Sequence, residues 1–282
     1  MVRVWDSPRY SAYKDIDNLY NHYIADIYCS DDGFLYYAGT DEITYKISMY
    51  NTNGGTLYKD IVSLTSPSCF AVSSFSGTTA YLYTAGISDS VFSITSYAIT
   101  NTSGAYTVST GKESAPTLLE MGLTAATKYN GTTVSVSGIP SITDVAISGS
   151  YLYVLFNYTS TAFRGGYNNL SCGALLRFNI DGISVSLDSS FGDGGKLGWS
   201  NSITSFKNSK NIQVYGQWPA NETKGFYGPV KILALKPKKI WIADDGGLYS
   251  EDSVFVQKDR VVVIDLENES FDGILSSGNI GF

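Results

Sequence analysis

The chain has 282 residues, 43% hydrophobic and only 16% charged, with 22 tyrosines and 28 glycines. It is too apolar for a disordered protein and long enough for one large all-β domain or two smaller ones. A net charge of −7 with a pI near 4.7 sets up a field that repels nucleic-acid phosphates, and no apolar run approaches the roughly 20 residues of a membrane-spanning helix, so neither nucleic acid nor membrane insertion is expected of this chain. Abundant Tyr, Ser, Thr and Gly favour pleated strands and tight turns over amphipathic helices.

In chain order, "MVRVWDSPRYSAYKDIDN" (1–18) alternates polar and apolar residues and carries an early Asp; it lacks the basic start and continuous apolar stretch of a signal peptide. Within it "AYKDI" (12–16) recurs as "LYKDI" (57–61), a shift of 45 positions that also lays Asp26 over Ala71. A period of this length marks propeller blades. The blade template, an alternating strand, a turn, an aromatic strand and two more strands, is met four times. The copies span 24–64, with Asn53-Gly54-Gly55 as a hairpin turn, then 68–110, 133–195 and 230–275. Residues 1–20 align with the third and fourth strands only. The expected fold is therefore an all-β propeller of four-stranded antiparallel blades, four full and one partial at the N-terminus. Because the C-terminal copy has all four of its strands, ring closure by strand exchange is not expected, and the chain reads as a piece of a larger protein.

The second strand of each copy is rich in Tyr, Leu, Val, Ile or Trp, as needed when both faces of a blade pack on neighbours about 10 Å away. In "LLRFNIDGISVSLDSSFGDGGKLGW" (175–199), Asn179-Ile180-Asp181-Gly182 supplies a turn, and Ser190 to Lys196 lies where the chain leaves one blade for the next, with Phe191 as a plug. Leu197 follows the lysine where a phosphate-binding loop would need Ser or Thr opening a helix, so the glycines are read as punctuation.

"RFNIDG", "LDSSFGDGGK" and "ILALKPKKIWIADDG" resemble the delta-60 repeat, a WD-repeat-like unit of bacterial β-propeller proteins, over residues 173–267, with an echo in "ESFDGILSSGNIGF" at the C-terminus. The chain departs from that pattern by inserting residues 198–228 and by lacking the motif in its first two copies. The resemblance implies a propeller fold and an envelope or surface location, with the signal peptide outside this chain, and it implies no catalytic residues.

Candidate chemistry is sparse. Cys29, Cys69 and Cys172 allow one disulfide at most and lack zinc spacing; Cys29 and Cys69 fall in strands and Cys172 in a polar loop. His22 is the sole histidine, so neither a His-based triad nor a multi-histidine metal site is expected. Asp26 and Asp144 share one place in two copies, where they either bond backbone or line a central channel as a carboxylate pair. Lys231, Lys236, Lys238 and Lys239 read as a solvated strand edge. "IADDGGLY" (242–249) partly resembles the Asp-box of sialidase-like propellers, but Ile242 replaces the usual Ser or Thr, so it is read as a turn. The six Asn-x-Ser/Thr sites, at Asn101, Asn130, Asn157, Asn169, Asn221 and Asn268, carry no inference in so Ser/Thr-rich a chain.

Segments 111–132, 159–172 and 198–228 read as long loops, and such loops are usually functional or mobile. Their aromatics Phe163, Tyr167, Trp199, Trp218 and Tyr227 are the expected binding residues for a protein, peptide or carbohydrate ligand. The expected function is a non-catalytic binding or scaffold propeller of an exported or surface-associated bacterial protein, with no cofactor, no metal and no catalytic residue. The alternative is a propeller enzyme, a hydrolase or lyase, using channel carboxylates such as Asp26 and Asp144.

Overall fold

A computed structural model describes residues 23–29, 33–40, 45–51, 56–64, 69–89, 91–123, 126–129, 132–135, 138–160, 170–199, 202–207, 213–216, 225–226, 228–244, 248–251, 254–257 and 260–275. Among these the regular elements are all strands and no helix occurs. The class is all-β, as expected. Residues 1–20, read as a partial blade, and His22 lie outside the described residues.

The first sheet is an antiparallel meander of β1 (Tyr23–Cys29), β2 (Phe34–Thr40), β3 (Tyr45–Asn51) and β4 (Thr56–Leu64). The second joins β5 (Cys69–Val72), β6 (Thr79–Ser88), β7 (Val91–Thr102) and β8 (Ala105–Val108), with β9 (Lys112–Ser114) also pairing β7. After β10 (Ala126–Tyr129) and β11 (Thr132–Ser135) comes the third sheet: β12 (Gly138–Ser148), β13 (Tyr151–Ser160), β14 (Leu170–Asp181) and β15 (Ser184–Leu187), with β16 (Lys196–Leu197) against β14. Next follow β17 (Ser202–Lys207) and β18 (Gln213–Gly216). The fourth sheet takes β19 (Pro229–Lys236) and β20 (Lys239–Asp244), skips a hairpin of β21 (Leu248–Glu251) and β22 (Val254–Gln257), and finishes with β23 (Arg260–Asp265) and β24 (Ser270–Leu275).

The four meanders stack in chain order. Alternation along β6 and β13 explains how. In β6, Ala80 and Leu82 face the first sheet while Tyr83 and Ala85 face the third. In β13, Leu152, Val154 and Phe156 face the second sheet, and Tyr153 and Leu155 face the fourth. Both faces are covered, so the strand is apolar throughout rather than alternating with polar residues. Three cores result: Tyr36, Ile47, Met49 and Phe70 between the first two sheets; Phe92, Ile94, Phe156 and Phe178 in the middle; and Leu175, Phe191, Ile240, Ile242 and Ile264 between the last two. Rings seat the contacts, with Phe92 stacked on Phe178 at 5.8 Å. Burial pushes the Tyr83 hydroxyl up to about 12, helped by Tyr81 and the negative charge of Asp181, and that hydroxyl donates to Gly182 O at 2.6 Å across the second and third sheets.

Three sequence expectations are corrected. The segments read as long loops carry strands: β9 and β10 lie wholly within 111–132, β17 and β18 lie within 198–228, and β13 and β14 run into 159–172. Of these, β10 and β17 pair in parallel at Lys128↔Ser202 and Tyr129↔Ile203, forming a further sheet of order β11-β10-β17-β18. Cys172, placed in a loop, sits in β14 opposite Tyr158. The C-terminal "ESFDG" echo does not lead out of its sheet: Phe271 pairs with Ile264 within β24, whereas Phe191 follows the last strand of its own meander. No helix among the described residues is long and apolar enough to cross a membrane.

Candidate functional site

The first strands of the four meanders, β1, β5, β12 and β19, lie side by side. A bulge in β12 between Ile142 and Asp144 inserts one residue, which bends a strand and re-aims its side chains. Here Thr143 Oγ1 donates to Pro229 O at 2.9 Å. Asp144 Oδ2 accepts from the Ile232 N–H at 2.7 Å, and its Oδ1 accepts from Lys231 Nζ at 3.1 Å. Asp144 is 4% exposed. On the other side, the Cys69 thiol of β5 donates to Ile142 O at 3.6 Å. The same bulge recurs in β1 between Ile24 and Asp26 and in β19 between Pro229 and Lys231, where a second shift follows between Ile232 and Ala234, while β5 runs without one. Asp26 and Asp144 thus hold equivalent register positions on the first strands of two of the four meanders. A backbone N–H and an ammonium orient the Asp144 carboxylate.

A second polar centre joins the third sheet to the fourth. Arg177 falls on the face of β14 that meets the fourth sheet, buried with its side chain 9% exposed. Its guanidinium lies 4.5 Å from the Tyr151 ring centre and 4.3 Å from that of Phe191. Nε donates to Asp188 at 2.7 Å and Nη2 to Glu269 at 2.9 Å. Asp188 in turn accepts from the Ser190 hydroxyl at 2.6 Å and the Ser190 N–H at 3.1 Å, and Glu269 accepts from the Gly192 N–H at 2.8 Å. Burial alone would raise the Asp188 carboxyl, but the Ser190 hydroxyl and the Arg177 guanidinium outweigh it and hold it below the usual carboxylate range. Gly192 turns with φ 54°, and a Cβ there would stand 2.3 Å from Lys196 O. The residues of "DSSFG" are thus a clamp, with Asp and Ser satisfying each other, Phe191 plugging the core and Gly making the turn.

A third buried pair stands at the start of "IADDGGLY", the segment read as a turn, of which residues 245–247 lie outside the described residues. Asp244, at the end of β20 and 1% exposed, accepts from Arg260 Nε at 2.8 Å and from the Gly228 N–H at 2.8 Å, and Arg260 Nη2 reaches Gly225 O at 2.6 Å. The lysine edge is exposed and carries surface ion pairs, Lys238 to Glu267 at 2.9 Å and Lys239 to Asp272 at 2.5 Å.

Of the expected binding aromatics, Phe163, Tyr167, Trp218 and Tyr227 lie outside the described residues. Trp199 is half-buried and packs edge-on against Phe156 at 5.6 Å and Tyr158 at 6.4 Å. The Asp26 side chain also lies outside the described set, although its strand position is given. Among the described residues no group of three or more His, Cys, Asp or Glu side chains is gathered as a metal site. Sequence reading missed Arg177 and Glu269, and placed Lys231 on a solvated edge without its contact to Asp144. An arginine inside the apolar run "ALLRFNI" was the available signal, since a buried charge requires a partner.

The TdpA C-terminal domain family matches residues 126–276, just over half of the chain. The chain belongs to that family. Its matched part takes in the third and fourth meanders, including the Arg177 clamp and Asp144. Comparison with curated proteins returns no match. Among solved structures, the chain is similar to the Cellvibrio cellulosa alpha-L-arabinanase at a TM-score of 0.37 and 9% identity, over 96% of this chain and 82% of that one. It is also similar to a mutant B. megaterium levansucrase at a TM-score of 0.36 and 8% identity, over 92% of this chain and 87% of that one. Both are enzymes, and the expected non-catalytic binding or scaffold role is corrected on that finding. At these scores the likeness assigns no activity to this chain.

Proposed function

We propose that the four stacked meanders are blades of a β-propeller and that the domain is an enzyme, a hydrolase or lyase working with the inner-strand carboxylates of Asp26 and Asp144. The observation that carries this reading is the repeated bulge, which puts an aspartate at the same register position of β1 and β12 on strands that neighbour one another through β5. Asp144 is held in one orientation by the Ile232 N–H and the Lys231 ammonium, as a group acting on one bound substrate must be. Two carboxylates flanking a glycosidic bond suffice to cleave it, one as acid and the other as base or nucleophile. Carbohydrate is accordingly the substrate class to test first.

Release of reducing or unsaturated sugar ends from a panel of neutral and uronate-containing polysaccharides is the assay. Asp144→Asn and Asp26→Asn are each expected to lower kcat by roughly 10²–10⁴-fold, the usual worth of a general acid or base, with thermal unfolding checked to show that each variant is folded. Folded variants that turn over at the wild-type rate, or a wild type inert on the whole panel, would overturn the reading.

A further inference from the structure

A cleft of about 380 Å³ opens where the turn after β15 meets β24, lined by Asp193, Lys196, Gly198, Trp199, Ser270 and Phe271. Small-molecule sites span roughly 300–1,000 Å³ and combine apolar walls with a few polar groups. Both aromatic walls are held from behind. Phe271 packs on Phe226 with ring centres 5.4 Å apart, and Trp199 rests against Phe156 at 5.6 Å. Between them the chain passes at Gly198 with φ 84°, where a Cβ would lie 2.5 Å from the Phe226 ring and 3.0 Å from that of Phe271. Glycine therefore lets the backbone pack directly against these two rings.

The polar groups are placed but not used up. Lys196 Nζ donates to Asp193 O at 2.8 Å and is anchored there. The Asp193 carboxylate and the Ser270 hydroxyl, both on exposed residues, make no hydrogen bond with the described residues. Among the described residues the Trp199 Nε1–H is buried without an acceptor, and a buried donor of this kind calls for a partner. Aromatic surfaces flanked by a carboxylate, an ammonium and a hydroxyl are the chemistry that recognises a sugar ring: its C–H face lies on the rings and its hydroxyls bond the polar groups.

We propose that this cleft binds a neutral sugar residue at a site separate from the inner-strand aspartates. It is built from the last strand of the fourth meander and the exit turn of the third, whereas Asp144 stands on the first strand of the third. The site thus serves either to hold a polysaccharide beside the proposed catalytic strands or to bind a glycan on its own, and equilibrium binding reads it without any turnover.

The test is a glycan array probed with the labelled full chain, followed by calorimetry with the best-bound neutral oligosaccharide, for wild type, Asp193→Asn, Ser270→Ala and Asp144→Asn. The two cleft variants alter exposed side chains and are expected to fold. Binding should weaken roughly tenfold or more in each of them, the worth of a lost hydrogen bond to a charged or buried group, and should persist in Asp144→Asn even where hydrolysis is lost. The proposal is overturned if no neutral glycan binds, or if binding is unmoved by both cleft variants, or if only Asp144→Asn abolishes it.

Discussion

Arg177 is a full charge in the middle of an apolar strand, and its surroundings show what such a residue requires. Two aromatic rings cover its faces at 4.5 and 4.3 Å, and two carboxylates meet its edge at 2.7 and 2.9 Å. Removing one partner of a buried pair leaves the other uncompensated. Asp188→Asn is therefore expected to cost about 3 kcal/mol at pH 7, at the low end of the range for a broken buried pair because Glu269 remains. The Asp188 carboxyl is depressed in the folded state. Its stabilisation is thus in full force above the unfolded value of about 3.9 and is lost as pH falls through the lower folded value. Urea unfolding of wild type and variant at pH 7 and again below pH 3 checks this: the gap between them should shrink in acid, and a gap independent of pH would refute it.

At the scale of the element, β13, like β6, has its two faces in two different cores. Phe156 is fully buried, so Phe156→Ala should cost about 3–5 kcal/mol through the cavity left behind. Val91→Ala, at 58% exposure, should stay within about 0.5 kcal/mol. Both are read as shifts in the urea midpoint at unchanged slope, and similar losses for the two would contradict the packing described. These meanders were legible in the sequence because strand period, hairpin turns and apolar runs are local signals. Hence "YLYVLFNY" reads as a doubly buried strand and Asp181-Gly182 as a turn. The sheet of β10, β11, β17 and β18 was not legible. Its segments, such as "ATKY" and "SITSFK", are short and polar, and the parallel pairing of Lys128 with Ser202 depends on a contact across a whole meander that no local pattern announces. The candidate site was half legible. The equivalence of Asp26 and Asp144 follows from alignment alone, but the bulge that re-aims Asp144 toward Ile232 and Lys231 is a property of pairing, and the cleft beside Trp199 arises from two segments distant in sequence.

Across the whole molecule, the meanders form a series in which the third shares one core with the second and another with the fourth. Deleting residues 229–275 should therefore bare Tyr153, Leu155, Leu175 and Phe191 together, which are all buried in the intact chain. A truncated chain is expected to bind the dye ANS and to aggregate, since exposed apolar patches of this size are sticky. A monomeric, dye-silent truncation would show that the fourth meander is not needed to cover the third. The β21–β22 hairpin behaves differently. It leaves the fourth sheet between β20 and β23, yet those two strands pair directly, from Lys239↔Asp265 to Asp244↔Arg260. The excursion is outside the ladder that holds the sheet, and lengthening a loop adds closure entropy only slowly. Beyond Asp244 the chain thus has a natural insertion port, where a reporter, an affinity handle or a further binding module can be spliced in while the Asp244–Arg260 pair keeps the neck of the excursion shut.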